Sequence, residues 1–220
     1  MMLHRFKDRT EAGRVLAGRL GNYANRPGVV VLALPRGGVP VAFEVAQALN
    51  APLDVFLVRK LGTPGQEELA MGAIASGGIR VLNSSVVEWL AIPDEVIDEI
   101  AACEQKELER RERAYRDDRP PIEIRGRTIV LVDDGLATGS TMRAAIEALK
   151  QQHPARLIVA VPVAPLSTCA ALEAEVDELI CPLSVEPFDG VSRWYQDFTQ
   201  TSDDDVRRLL EESHREAATA

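Results

Sequence analysis

Apolar positions along this chain follow two alternating rhythms. Short continuous runs rich in Val, Ile and Leu are separated by stretches with helical spacing. Gly28 to Leu34 (GVVVLAL) lies between Pro27 and Pro35, and its β-branched content predicts a strand buried on both faces. Leu53 to Val58, Thr128 to Val132 and Arg156 to Val163 predict three more, and Leu179 to Leu183 a weaker fifth. Between them lie predicted helices. Residues 8–21 carry Asp8 and Glu11 at capping-box spacing and a stripe of Ala12, Val15, Leu16 and Leu20. Pro40 suits the first turn of a helix that turns Val41, Val45, Ala48 and Leu49 inward. Asp94 to about Arg116 places Ile97, Ile100, Ala101, Leu108 and Tyr115 near one face. The other face reads as solvated i,i+4 pairs, Glu107–Arg111, Glu109–Arg113 and Glu112–Arg116, or as a dimer contact. Thr138 to Gln152 turns Met142, Ala145, Ile146 and Leu149 inward, and 167–175 and 203–213 complete the series.

Strand–helix alternation of this kind predicts an α/β fold, a doubly wound, mostly parallel sheet with flanking helices. One segment breaks the rhythm. Residues 61–78 hold five of the chain's 15 glycines with no clean period, which predicts a loop or an irregular hairpin, with Ile79 to Leu82 a short strand. The organisation expected is one domain over 1–220. Its core runs over about 28–183, with a small hood over about 61–92 and a C-terminal aromatic segment and helix over 184–220. Asp117 to Pro121 is the linker candidate.

Composition narrows the function. The chain has 220 residues, 46 % hydrophobic and 27 % charged, with a formal net charge of −9. That balance argues against nonspecific binding to nucleic acid or an anionic membrane, so an anionic ligand must meet a local basic site. No apolar run reaches the roughly 18 residues that span a bilayer, and the first twenty residues lack the apolar core of a signal peptide. Cys103, Cys169 and Cys181 show no metal or redox spacing and read as idle thiols in a reducing compartment, which makes a cytoplasmic protein the expectation. His4, His153 and His214 form no metal cluster. The nucleophile elbow of serine hydrolases and the phosphate-binding loop of P-loop NTPases are both missing.

The chemistry concentrates in TIVLVDDGLATGSTM, residues 128–142. A buried strand delivers Asp133 and Asp134 at its C-terminal end, where open α/β sheets bind ligands. After a turn, Thr138, Gly139, Ser140 and Thr141 open an amphipathic helix. Its free N–H groups, dipole end and hydroxyls suit a phosphate. One loop thus offers acceptors for sugar hydroxyls or a metal beside donors for a phosphate, and the ligand implied is a sugar phosphate.

VLVDDGLATGSTM resembles the 5-phosphoribosyl 1-pyrophosphate (PRPP) motif of the type I phosphoribosyltransferases. LPRGG (residues 34–38) looks like that family's pyrophosphate loop, Arg59-Lys60 like its basic pair, and 61–78 stands where the family carries a mobile hood loop. The fit runs from about 28 to 165. Over its whole length the chain also resembles a group of bacterial phosphoribosyltransferase-domain proteins of unassigned substrate, with RKLG…ELAMGAIA and WYQDF-like segments.

The resemblance implies ribose 5-phosphate transfer from PRPP to a ring nitrogen of a nitrogenous base, with Mg²⁺ as cofactor, pyrophosphate released, and PRPP, pyrophosphate and a base or nucleotide as the partners. It implies that Asp133 and Asp134 meet the ribose hydroxyls, directly or through Mg²⁺. Ala137, Thr138, Gly139, Ser140 and Thr141 would cradle the 5-phosphate. Arg36, Gly37, Gly38, Arg59 and Lys60 would hold pyrophosphate, with Arg36 and Lys60 counted among the catalytic groups. A homodimer is the family expectation. Ala137 stands where members acting on 6-oxopurines usually carry a carboxylate, which argues against a hypoxanthine or guanine acceptor; Glu67 and Glu68 in the hood are the candidates for a proton-handling group from elsewhere. Phe188, Trp194, Tyr195 and Phe198 cluster in the tail, and stacking on a base by Phe188, Trp194 and Tyr195 competes with a small satellite core. The alternative function is a PRPP- or nucleotide-sensing regulator without transfer. A phosphoacceptor receiver domain would need a Lys after Ile158–Val163, and none stands there.

Overall fold

β-Branched and leucine residues dominate the strands at the centre of the molecule, and both of their faces are covered. The computed structural model describes residues 5–117 and 119–219, apart from the side chains of 67, 68 and 217–219. In chain order the first elements are α1 (Arg9–Ala17), β1 (Val29–Ala33), α2 (Gly38–Leu49), β2 (Leu53–Val55), β3 (Val58–Thr63), β4 (Gln66–Ala75) and β5 (Ile79–Leu82). Then come α3 (Ser84–Trp89), α4 (Asp94–Arg116), β6 (Thr128–Val132), α5 (Ser140–Gln151), β7 (Arg156–Ala160) and β8 (Val163–Pro165). Last are α6 (Leu166–Glu173), β9 (Glu178–Ile180), β10 (Leu183–Val185) and α7 (Asp203–Thr219).

The main sheet is parallel, five-stranded and ordered β2-β1-β6-β7-β9. Alternate side chains of β1 serve two cores. Val29, Val31 and Ala33 pack with α1, α2, α4 and α7, while Val30 and Leu32 pack with α5 and α6. Val15 and Ala48 turn outward instead. The register sets Ala33 opposite both Val55 and Val132. The loops leaving β1 and β6 therefore emerge side by side at one level. The chain runs from β1 outward to β2, then returns to the other flank of β1 as β6. This reversal is a topological switch point, where an α/β sheet opens a crevice.

The predicted strands are trimmed or divided in three places. Leu53 to Val58 stops as a core strand at Val55, after which the chain reverses into the antiparallel hood sheet β3-β4-β5. That hairpin is the segment whose glycines hid its period, and bulges at Leu61/Gly62 and Gly62/Thr63 interrupt its alternation. Arg156 to Val163 and Leu179 to Leu183 are each two strands. Pro162 and Pro182 lack the N–H needed to continue a ladder, so β8 and β10 pair with each other in a separate two-stranded sheet. Of the linker candidate at 117–121, residue 118 lies outside the described residues; just after the segment, the Ile122 N–H donates to Asp54 of β2 at 3.2 Å. Among the described residues no helix is long and apolar enough to cross a membrane.

Candidate active site

The β1 loop and the β6 loop meet in the crevice. A Cβ added to Gly37 would lie 2.1 Å from Asp134 Oδ2, and one added to Gly38 would lie 2.9 Å from the Val132 carbonyl oxygen. No side chain fits between them, so the glycines of LPRGG are there to let one loop lie against the other. The Pro35–Arg36 peptide is cis.

Asp133 and Asp134 occupy the floor of this crevice. The Asp134 N–H donates to Asp133 Oδ1 at 2.8 Å. Burial, and after it the charge of Asp134, pushes the Asp133 carboxyl well above the usual carboxylate range. Burial raises Asp134 too, against the pull of Arg9. Two partly dehydrated carboxylates on adjacent residues favour ligands that bring hydrogen-bond donors or positive charge. No cluster of three or more His, Cys, Asp or Glu side chains is arranged to hold a metal among the described residues. Asp133 and Asp134 are hard oxygen donors on adjacent residues, a donor set that fits a Mg²⁺ held through one or two carboxylates.

Arg9 is the site residue that sequence reasoning missed. Its Nε and Nη2 both lie 2.8 Å from Asp134 Oδ2, and Nη1 donates to the Thr199 carbonyl at 2.8 Å. The guanidinium lies 3.9 Å from the centre of the Phe198 ring. The Tyr195 hydroxyl completes the clamp, donating to the Asp134 carbonyl at 2.6 Å. Arg9 sits 125 positions before its partner, so no local pattern announces it.

The phosphate-type loop opens α5 as expected, two residues later than the predicted helix start. Gly139 takes φ +74° at the N-cap, and a Cβ there would press on Thr168. Thr168 of α6 also donates to the Ala137 carbonyl at 2.8 Å, which pins the loop from behind. Ala137, Thr138, Ser140 and Thr141 remain exposed, with Thr138 Oγ1 and Ser140 Oγ 3.0 Å apart.

Arg59 and Lys60 are not at the end of a core strand. As neighbours on β3 they point to opposite sides. Arg59 shares a cleft with Arg36 and Thr141, and is ion-paired to Glu104. Lys60 lines a separate groove with Ser140, Thr141 and Arg143. The structure thus brings Arg59 to the pyrophosphate-type loop and Lys60 to the phosphate-type loop.

The base-stacking expectation is corrected for Trp194 and Tyr195. They are 6 % and 1 % exposed, in a satellite core with Phe6 and Val163. Tyr195 is covered by Phe6 and Phe198, and Trp194 stacks on the half-buried Phe188. The short β8-β10 sheet needs an apolar cover, and these rings supply it. The side chains of Glu67 and Glu68, candidates for proton handling, lie outside the described residues.

Comparison with known proteins agrees with this geometry. A family model described as the phosphoribosyl transferase domain matches residues 3–189. A Mycobacterium tuberculosis protein named "Putative phosphoribosyl transferase" is 46 % identical over 215 residues, covering 98 % of this chain and 48 % of that protein. The chain thus spans about half the length of the curated relatives it matches first. The Bifunctional protein PyrR of Chloroflexus aurantiacus is 35 % identical over 129 residues, 57 % of this chain and 65 % of that protein. The crystal structure of TT1426 from Thermus thermophilus superposes with a TM-score of 0.84 at 41 % identity, covering 94 % of this chain and 98 % of that one. A match over this span, on a parallel sheet whose two glycine-bearing loops meet at the switch point, means that the chain belongs to the phosphoribosyl transferase domain family.

Proposed function

We propose that this chain transfers ribose 5-phosphate from PRPP to a ring nitrogen of a base and releases pyrophosphate. The observation that carries the reading is the contact of the Gly37–Gly38 turn with Asp133 and Asp134, beside the open α5 N-terminus. One ligand spanning that contact presents a phosphate to Thr138–Thr141, sugar hydroxyls to the carboxylates and a second phosphate group to Arg36. Breaking the bond between C1 and the leaving oxygen builds positive charge on the ribose ring and negative charge on the pyrophosphate. The carboxylates of Asp133 and Asp134 oppose the first charge, and Arg36 and Arg59 the second. Lys60 stands at the phosphate-loop side and adds positive charge there. Mg²⁺, when bound, would neutralise and orient the pyrophosphate. The hood hairpin β3-β4 packs beside the crevice and would limit water, which otherwise hydrolyses the donor.

The test is incubation with PRPP, Mg²⁺ and a pooled panel of purines, pyrimidines and small heteroaromatics, read by mass spectrometry. A new nucleoside monophosphate mass is the expected result, and it names the acceptor. Asp133→Asn is expected to lower the transfer rate by roughly two orders of magnitude or more. Because it removes a dehydrated charge beside Asp134, the variant should melt at or above the wild-type temperature. Undiminished transfer by Asp133→Asn would overturn these roles. Tight PRPP binding with no product from any base would favour a PRPP-sensing regulator.

A further inference from the structure

Beyond the pyrophosphate-type loop lies a cleft of about 230 Å³ that family motifs do not describe. Its wall combines Arg36 and Arg59 with Arg110, Arg111 and Tyr115 of α4. Four guanidiniums therefore face one small volume in a protein whose net charge is −9. Only one carboxylate, Asp203 at the start of α7, shares that wall.

The remaining acids stand behind the arginines and fix their directions. Glu107 receives Arg110 Nε at 2.7 Å, Arg110 Nη2 at 3.0 Å and Arg111 Nε at 2.8 Å, and lies 4.0 Å from Arg59 Nη1. Glu104 pairs with Arg59. The bonds from Arg110 and then Arg111 pull the Glu107 carboxyl down to about 2, so this hub stays charged throughout the neutral range. Arg110 and Arg111 keep further N–H groups beyond those given to Glu107. Asp203 marks where an anion sits. It accepts from the Tyr115 hydroxyl at 2.6 Å and lies 3.7 Å from Arg36 Nη1. Burial raises the Tyr115 hydroxyl to about 12, so it remains a donor. A preorganised set of forked donors around a small cavity suits a compact polyanion with several phosphate oxygens.

The cleft opens at Leu34–Arg36 and Leu57–Arg59, the β2 side of the pyrophosphate-type loop. Arg36 lines this cleft itself, so a phosphate group held at Arg36 would adjoin it. We propose that Arg110 and Arg111 of α4 join Arg36 and Arg59 in holding the pyrophosphate end of the donor, so that α4 is a leaving-group recognition element. The proposal rests on the phosphoribosyl transfer reading for the identity of that polyanion.

Calorimetric titrations of the full chain with pyrophosphate and with ribose 5-phosphate, each with Mg²⁺, test it. The variants are Arg110→Gln/Arg111→Gln and the charge-keeping Arg110→Lys/Arg111→Lys. Both side chains are well exposed, 66 % and 47 %, so the substitutions leave the packing of α4 intact. The Gln pair should weaken pyrophosphate binding by about tenfold or more, and the Lys pair by less. Ribose 5-phosphate affinity should stay within about twofold. Unchanged pyrophosphate affinity in a protein that binds ribose 5-phosphate overturns the α4 assignment and leaves the transfer reading standing. Pyrophosphate binding that depends on the arginines, without any ribose 5-phosphate binding, overturns the transfer reading and keeps the α4 anion site. Binding of neither ligand overturns both.

Discussion

Arg9 and Asp134 form a buried ion pair at the floor of the crevice. Their side chains are 11 % and 13 % exposed, so each is costly without the other. Both guanidinium contacts fall on Oδ2, the oxygen beside Gly37, which leaves Oδ1 for a ligand. Arg9 thus fixes the direction of the Asp134 carboxylate. Arg9→Met should destabilise the fold by about 3 kcal/mol, because it strands a buried charge. Adding Asp134→Asn should recover most of that loss, since the pair is then removed together. Denaturant melts of the two singles and the double variant measure the coupling. Additive losses would show that the two residues act independently. The pair also shows a limit of sequence reading. Asp134 was legible from its strand-end position, but a partner supplied by another element leaves no periodic trace. Arg110 was hidden differently: it looks like part of a solvated helix face until the fold sets that face beside Arg36.

At the scale of elements, legibility followed burial. β1 and β6 are sheathed on both faces, so their sequences are unbroken apolar runs. α4 was placed correctly from its apolar stripe, although its polar face concealed the arginine cleft. The hood strands carry glycines and bulges, and their residues pack into both cores, so no alternation marks them. α7 carries the element-scale prediction. His214 on this helix is held below its ordinary pKa by burial, and secondarily by Arg119, against the pull of Asp54. Asp54 is itself engaged by Arg116 at 2.8 Å. The folded state therefore resists protonation of His214 while the unfolded chain accepts a proton near pH 6.5. Stability from this group is complete above about 6.5 and falls as pH drops below it, through the lower folded pKa. Denaturation free energies at pH 8 and pH 5.5 should show a smaller acid loss in His214→Gln than in the wild type. An equal loss in both would remove His214 from the account.

Across the whole molecule, the segment before α1 is tied to residues 194–197, far along the chain. The Phe6 N–H donates to the Trp194 carbonyl at 2.8 Å, and the N–H groups of Gln196 and Asp197 donate to the Phe6 and Lys7 carbonyls at 2.8 and 2.9 Å. The Phe6 ring is 2 % exposed against Tyr195, whose hydroxyl holds the Asp134 backbone. A packing fault at Phe6 therefore has a route to the carboxylates through Tyr195 and through Arg9, three residues on. Phe6→Ala should cost about 3–5 kcal/mol, the range for truncating a buried Phe. It should also open Trp194 to water. The chain's other tryptophan, Trp89, is 75 % exposed and its emission would overlap that of Trp194, so the measurement belongs in a Trp89→Phe background. There, Phe6→Ala should red-shift the emission of Trp194, and PRPP should reverse part of the shift by closing the loops that Tyr195 and Arg9 support. A destabilised variant with unshifted emission, and with the same response to PRPP as its parent, would mean that the satellite core stabilises the fold without bearing on the site.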